Sequence, residues 1–177
     1  MTDAVSLAEA LDQLKPEPGL VILMCGLAGS GKTTASKALE AKGFGRLSFD
    51  EVLWEVCGRY GVDYPAEAYA EKQTIARAVL MDRVRAGLAE RTPMVIDSAF
   101  WNRAARDACR ELAADFGCAC RVLYLKADPA LLRQRLAVRA ERFDANAAFP
   151  VTGDILARFI ASFEAPEGED EIVVAAE

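Results

Sequence analysis

From Leu20 to Cys25 every residue is apolar, a run of strand length suited to a parallel strand buried on both faces. Met94-Val95-Ile96, ending at Asp97, and Cys120 to Leu125 read the same way, as do the shorter runs Gly45–Phe49 and Ile172-Val173-Val174. The intervening segments carry apolar residues at helical spacing. Residues 3–14 place Leu7, Leu11 and Leu14 on one face, and Lys15-Pro16-Glu17-Pro18-Gly19 stops that helix. A helix follows the first strand and ends near Gly43, and another begins at Asp50 and ends at Gly58. A long one over about 66–90 has Ile75, Val79, Leu80, Val84 and Leu88 as its inner face. Asn102 to Phe116 shows the stripe Ala105, Cys109, Leu112 and Phe116. Asp128-Pro129 caps and starts a further helix, and Thr152 opens the last, with Leu156, Phe159, Ile160 and Phe163. Strands alternating with helices predict a parallel sheet covered on both faces, with right-handed crossovers.

The loop between the first strand and its helix carries the strongest chemical signal. Gly26-Leu27-Ala28-Gly29-Ser30-Gly31-Lys32-Thr33 fits G-x-x-x-x-G-K-[ST] without a mismatch, and Thr34 leads into the helix. Glycine admits backbone angles closed to other residues, so successive N–H groups can turn inward around an anion. The following helix points its positive end at the same anion. Lys32 can reach β- and γ-phosphates, and the Thr33 hydroxyl can sit on Mg²⁺. A phosphate cradle for a nucleotide is the expectation.

Composition narrows the rest. The 177 residues suffice for one domain with a sizeable core, read as a single unit over 1–177 with 1–18 as an N-terminal helical extension. A net charge of -6 argues against a nucleic-acid partner bound through a broad basic surface. No apolar run approaches the roughly 20 residues of a membrane helix, and the N-terminus lacks signal-peptide order, so a cytoplasmic protein is expected. The chain has no histidine, which excludes serine–histidine triads, histidine zinc sites and imidazole bases. Proton transfer falls to a carboxylate, a lysine or water. Five cysteines with no C-x-x-C pair read as small buried hydrophobes.

Asp50 and Asp97 stand at the carboxyl ends of two predicted strands, the edge on which the glycine loop opens and on which open α/β sheets bind ligands. Asp97 suits a metal, and Asp50 can accept a proton from a hydroxyl. Both can equally be helix N-caps, a role compatible with catalysis. Arg133, Arg135, Arg139 and Arg142 crowd one helix and its exit, the last three at i, i+4 and i+7. An anion-binding lid over 133–150 is expected; pairing with Glu141, Asp144 or solvent is the alternative. Arg103 and Arg106 are further candidates for a substrate oxygen. Trp54 and Tyr64, with Tyr60, Phe100 and Trp101, can wall an acceptor pocket or simply pack in the core. The acidic run Glu164 to Glu171 reads as a solvated turn.

Taken together, the loop Gly26–Thr33, Asp50 in Leu-Ser-Phe-Asp, the Val-Ile-Asp97-Ser strand followed by Arg103 and Arg106, and the Arg133–Arg142 stretch resemble the small P-loop kinases. The chain is most similar to the group of zeta-toxin-like kinases, chloramphenicol phosphotransferase and the kinase domain of polynucleotide 5'-kinases. The resemblance implies a P-loop NTPase three-layer sandwich whose five-stranded parallel sheet has the order 2-3-1-4-5. It implies ATP and Mg²⁺ as cofactors, and transfer of the γ-phosphate to a hydroxyl of a sugar, nucleotide sugar or antibiotic by a monomer or homodimer. It makes Asp50 the proton acceptor, sets Arg133, Arg135 or Arg139 on the phosphates, and puts Pro166 by the adenine. A polynucleotide 5'-kinase and a nucleotide switch acting through a protein partner are the competing expectations. The acidic charge weighs against the first, and Asp50 with the lid arginines against the second.

Overall fold

The computed structural model describes residues 4–142 and 144–176. Residue 3, where the first helix was expected to start, and residue 143, inside the expected lid, lie outside the described residues, as do the ends of the 1–177 domain. In chain order the elements are α1 (Leu7–Gln13), β1 (Leu20–Cys25), α2 (Lys32–Ala41), β2 (Gly45–Ser48), α3 (Phe49–Cys57) and α4 (Tyr69–Ala89). Then come β3 (Met94–Asp97), α5 (Arg103–Asp115), β4 (Ala119–Lys126), α6 (Pro129–Arg139), α7 (Gly153–Ser162) and β5 (Glu171–Ala175). The five strands pair in parallel in the order β2-β3-β1-β4-β5, as expected.

The unbroken apolar run of β1 has a direct cause. It is a central strand, and alternate residues serve opposite layers. Ile22 and Met24 pack with Ala10 and Leu14 of the α1 segment and Leu39 of α2. Val21, Leu23 and Cys25 pack with Val84 and Leu88 of α4 and Cys109 of α5. The N-terminal segment is thus part of the core, and Val5 bridges Val174 of β5.

Two further apolar clusters sit at the carboxyl edge of the sheet. Phe49, Val52 and Leu53 of α3 pack on Ala76 and Leu80 of α4. Leu132, Leu136 and Leu156 join α6 to α7 and touch Leu27 and Ala28 of the glycine loop. α4 therefore divides its work: its C-terminal half lies on the sheet, while its N-terminal half overhangs the edge with α3. Its inward stripe runs Ala76, Leu80, Val84, Leu88, at steps of four. Ile75, expected on that face, lies about 100° away from Ala76 around the helix and is exposed. On α5 the inward residues are Arg106, Cys109 and Ala113, so the expected stripe is displaced, and Ala105 and Phe116 are exposed. Among the described residues no helix is long and apolar enough to cross a membrane.

Candidate active site

At the carboxyl edge an open cleft of about 1640 Å³ runs past the glycine loop, between the α3–α4 pair and the α6–α7 pair. The loop from Gly26 to Thr34 lines it throughout. Gly26 and Gly31 take φ of 142° and 103°. At Gly26 a Cβ would stand 2.6 Å from Ser30 Oγ and 2.7 Å from Leu125 O, so both backbone angle and close approach require glycine. Ser30 Oγ is buried with no hydrogen-bond partner among the described residues. An unpartnered hydroxyl beneath a ring of turned amides fits an anion's cradle.

Lys32 Nζ donates to Gly26 O at 2.9 Å and Leu27 O at 2.8 Å, folding over the loop it belongs to. Burial lowers its pKa, opposed by Asp97 and Asp50. A phosphate would supply the negative charge that this buried ammonium lacks. Arg135 Nη1 reaches Gly29 O at 3.3 Å and Ser30 O at 3.4 Å, so the lid helix rests directly on the loop. Arg139 lines the same cleft and acts on Asp50. Arg142 also lines it but pairs with Asp144 at 2.7 Å, the surface pairing that competed with the lid expectation. Arg133 is exposed and outside the cleft wall; two residues from Arg135, it lies on another face of α6.

The two aspartates are held very differently. Asp97 is buried; its Oδ2 accepts from Ser36 Oγ at 2.8 Å and from Arg46 Nη2 at 2.8 Å. Arg46 is also bonded to both Glu51 oxygens at 2.9 and 2.8 Å. The parallel register explains part of this: Ser48 lies opposite Asp97, and Arg46 shares the Ser48 face of β2. Neither Arg46 nor Ser36 was legible as a site residue, because each acquires its role only through a strand or helix packed beside Asp97. The second Asp97 oxygen and Thr33 Oγ1 accept or donate no hydrogen bond among the described residues, and both residues line the cleft. One carboxylate oxygen and one hydroxyl beside a phosphate cradle fit Mg²⁺, which keeps several waters and takes few protein ligands.

Asp50 makes no hydrogen bond or ion pair among the described residues, yet burial raises its pKa to about 6; Arg139 and Lys32 oppose the rise and Asp97 adds to it. Neither aspartate is an N-cap. Ser48 caps α3, leaving Asp50 in the first turn, and Asn102 caps α5.

Several expected contacts lie elsewhere. Arg106 is fully buried: Nε and Nη2 grip Glu169 at 2.8 and 2.7 Å, and Nη1 donates to Phe100 O and Glu164 O, both at 2.9 Å. With all those donors engaged it holds structure and cannot meet a substrate. Its partner is the exception to the solvated-turn expectation: Glu164, Glu167 and Asp170 are exposed, but Glu169 is buried, also bonds Arg110 at 2.9 Å, and is lowered to about 2 chiefly by Arg106. Arg103 is exposed outside the cleft wall, its Nε 3.3 Å from Asp107. Pro166 is buried in the same Arg106-braced turn and does not line the cleft; Val174, Ala175 and Ser6 wall that end instead.

Trp54 and Tyr64 line a separate cavity of about 20 Å³ behind Asp50, room for a single water, and Tyr64 Oη is buried without a partner there. The expected Phe100 and Trp101 do line the main cleft, as does Phe159, and beside Asp50 its aromatic wall is formed by Phe49, Tyr69 and Phe149. Phe149, from the end of the lid stretch, stacks on Tyr69 with centroids 4.6 Å apart and planes at 11°, and meets Tyr60 edge-on at 5.3 Å. Phe149 thereby packs its segment against α4 next to Asp50.

Known structures share this fold. A gluconokinase from Sinorhizobium meliloti 1021 aligns over 92% of this chain and 85% of its own, with TM-score 0.60 and 22% identity. Kti12 of Chaetomium thermophilum, in complex with ADP-AlF3, gives 0.62 at 19% identity over 88% and 87%. The PezAT toxin–antitoxin system of Streptococcus pneumoniae gives 0.59 at 16% identity over 76% and 60%. These likenesses establish the fold. No curated sequence matches the chain. The sequence profile described as AAA domain matches residues 21–166, from β1 to the turn before β5. With that match, the glycine loop and the 2-3-1-4-5 sheet, the chain belongs to the AAA domain family of P-loop proteins.

Proposed function

We propose that this protein is an ATP-dependent kinase that transfers the γ-phosphoryl group to a hydroxyl of a small molecule. The observation that carries this reading is Asp50. It is an unpaired, half-buried carboxylate sharing one cleft with the phosphate-loop lysine Lys32 and the lid arginine Arg139. A nucleotide switch has no use for such a group. A kinase does, because the acceptor hydroxyl must give up a proton as its oxygen bonds to phosphorus.

In this reading the loop amides, Lys32 and Arg135 hold the phosphates, and Arg139 stands where charge develops during transfer. The acceptor O–H bond breaks as the new O–P bond forms, the bond from γ-phosphorus to the bridging oxygen breaks, and ADP leaves. The proton passes to the Asp50 carboxylate. With its pKa at about 6, Asp50 is ionised at neutral pH yet basic enough to take that proton. Thr33 Oγ1 and the free Asp97 oxygen would hold Mg²⁺, which when bound neutralises phosphate charge. The Phe149–Tyr69 latch excludes water from the transfer.

The test is ATP consumption across a panel of hydroxyl acceptors, followed by single-turnover transfer with Asp50→Asn. The variant should bind ATP within a few-fold of wild type and lose about 10²–10⁴ in transfer rate. Transfer at the wild-type rate would place the base elsewhere. Acceptor-independent turnover throughout the panel would favour the switch.

A further inference from the structure

Resting on the kinase reading, we propose that the phosphate acceptor carries an anionic group beside its hydroxyl, and that Arg77 of α4 binds it. The overhanging half of α4 turns Tyr69, Gln73 and Arg77, at i, i+4 and i+8, into the cleft, with Met81 one turn further. These residues face Asp50 and Phe49 of α3 and the lid residues Asn146 and Phe149. Tyr69, Phe49 and Phe149 make the wall apolar, so two polar side chains within it are the groups that choose a ligand.

Arg77 has no carboxylate partner among the described residues. Its guanidinium carbon lies 5.3 Å from the centroid of the Phe49 ring, the residue next to Asp50. A guanidinium held over a ring keeps its N–H edges free, in a geometry matched to a carboxylate or phosphate. Elsewhere on this protein arginines near carboxylates are paired: Arg46 with Glu51 and Asp97, Arg83 with Glu55, Arg106 with Glu169. Arg77 is left open on a cleft wall.

The charge of the cleft points the same way. Its lining includes Lys32, Lys37, Arg77, Arg135, Arg139 and Arg158, and Arg142 paired with Asp144, against the carboxylates of Asp50 and Asp97, the latter already paired with Arg46. This excess of cations belongs to a chain whose net charge is -6. Lys32 and Arg135 sit on the phosphate loop and Arg139 acts on Asp50, which accounts for the nucleotide side. Arg77 stands apart, on the helix pair that presents the proton acceptor. Arg77 is exposed, so with a neutral sugar bound its charge would be left to solvent and would select nothing.

The experiment measures phosphate transfer from Mg-ATP to matched acceptors that differ in one charge: D-gluconate against D-sorbitol, D-glycerate against glycerol, D-ribose 5-phosphate against D-ribose. Calorimetry on the AMPPNP-loaded protein reports binding of the same compounds. The carboxylate and phosphate arms tell the two anions apart. For at least one pair the charged member should be bound and phosphorylated in preference. In Arg77→Ala its KM should rise about 10- to 100-fold with kcat nearly kept, the mark of lost ground-state binding, while KM for neutral acceptors and AMPPNP affinity stay unchanged. Arg77→Lys should recover part of the loss. Preference for the neutral members, no anionic member bound, or a preference that survives Arg77→Ala would each overturn the proposal. Arg77-dependent binding of an anionic member without phosphate transfer would instead refute the kinase reading and leave the anion site standing.

Discussion

Asp50→Asn should stabilise the protein at neutral pH even as it removes transfer. Burial lifts the Asp50 carboxyl from its ordinary 3.8 to about 6. Between those values the folded protein keeps a proton that the unfolded chain has released, so folding stability falls as pH rises through that window. Above about pH 6 the whole cost is present; below the unfolded value it vanishes. At about 1.4 kcal/mol per pH unit, a window of about two units sets a ceiling of about 3 kcal/mol. The carboxyl lines an open cleft and keeps some solvent access, which screens the charge and brings the expected effect to about 1–2 kcal/mol. That is a rise in Tm of about 2–8 °C for a domain of this size. The assay is urea unfolding of both proteins at intervals from about pH 4 to pH 8. Any cost of placing an amide in the site is the same at every pH, so the test is the slope. The variant's advantage should grow between about pH 4 and 6 and then flatten. An advantage that is constant, or that shrinks as pH rises, would show that burial does not raise this carboxyl.

Three other outcomes are expected. Lys32→Ala should cost about 2.7–4 kcal/mol in transition-state stabilisation, read as kcat/KM for ATP; unchanged transfer would detach the loop from the chemistry. Arg106→Ala should destabilise the fold by about 3–5 kcal/mol in denaturant titration, because it strands a buried Glu169; a loss of activity at full stability would restore Arg106 to the substrate. Hydrogen exchange of residues 144–150 should slow when AMPPNP and an acceptor bind together, and Phe149→Ala should abolish that protection; equal exchange in both states would argue against a closing lid.

What the sequence revealed followed the range of each signal. β1 and the glycine loop are local patterns, complete within fifteen residues, and they hold in the structure as expected. The caps at Asp128 and Thr152 are local too, and both are present. Asp50 was expected at the ligand edge because that edge can be inferred from strand ends alone, and it lines the cleft. Arg106 was misassigned because its partner, Glu169, lies 63 residues away across the fold. Its one sequence signal was an arginine three before Cys109, on the face that must turn inward. Most of the α4 stripe was legible: Leu80, Val84 and Leu88 are buried as expected, and Ile75 was off by one position from the buried Ala76. Gln73 and Arg77 carry no local signal, because only the cleft built by distant segments gives them a role.

The division of α4 bears on how such a protein could change its substrate. The half that supports the sheet shares its cluster with β1 and α5, whereas the half that faces the acceptor shares its cluster with α3. Substitutions at Tyr69, Gln73, Arg77 or Phe49 therefore fall in a packing unit separate from the one that shapes the glycine loop. The two clusters border each other at Leu47, and residues in separate clusters that do not touch tend to contribute nearly independently. Acceptor preference can then drift, or be selected in a library confined to this wall, without refitting the phosphate machinery. The same scaffold is free to acquire a new clientele while its donor stays fixed.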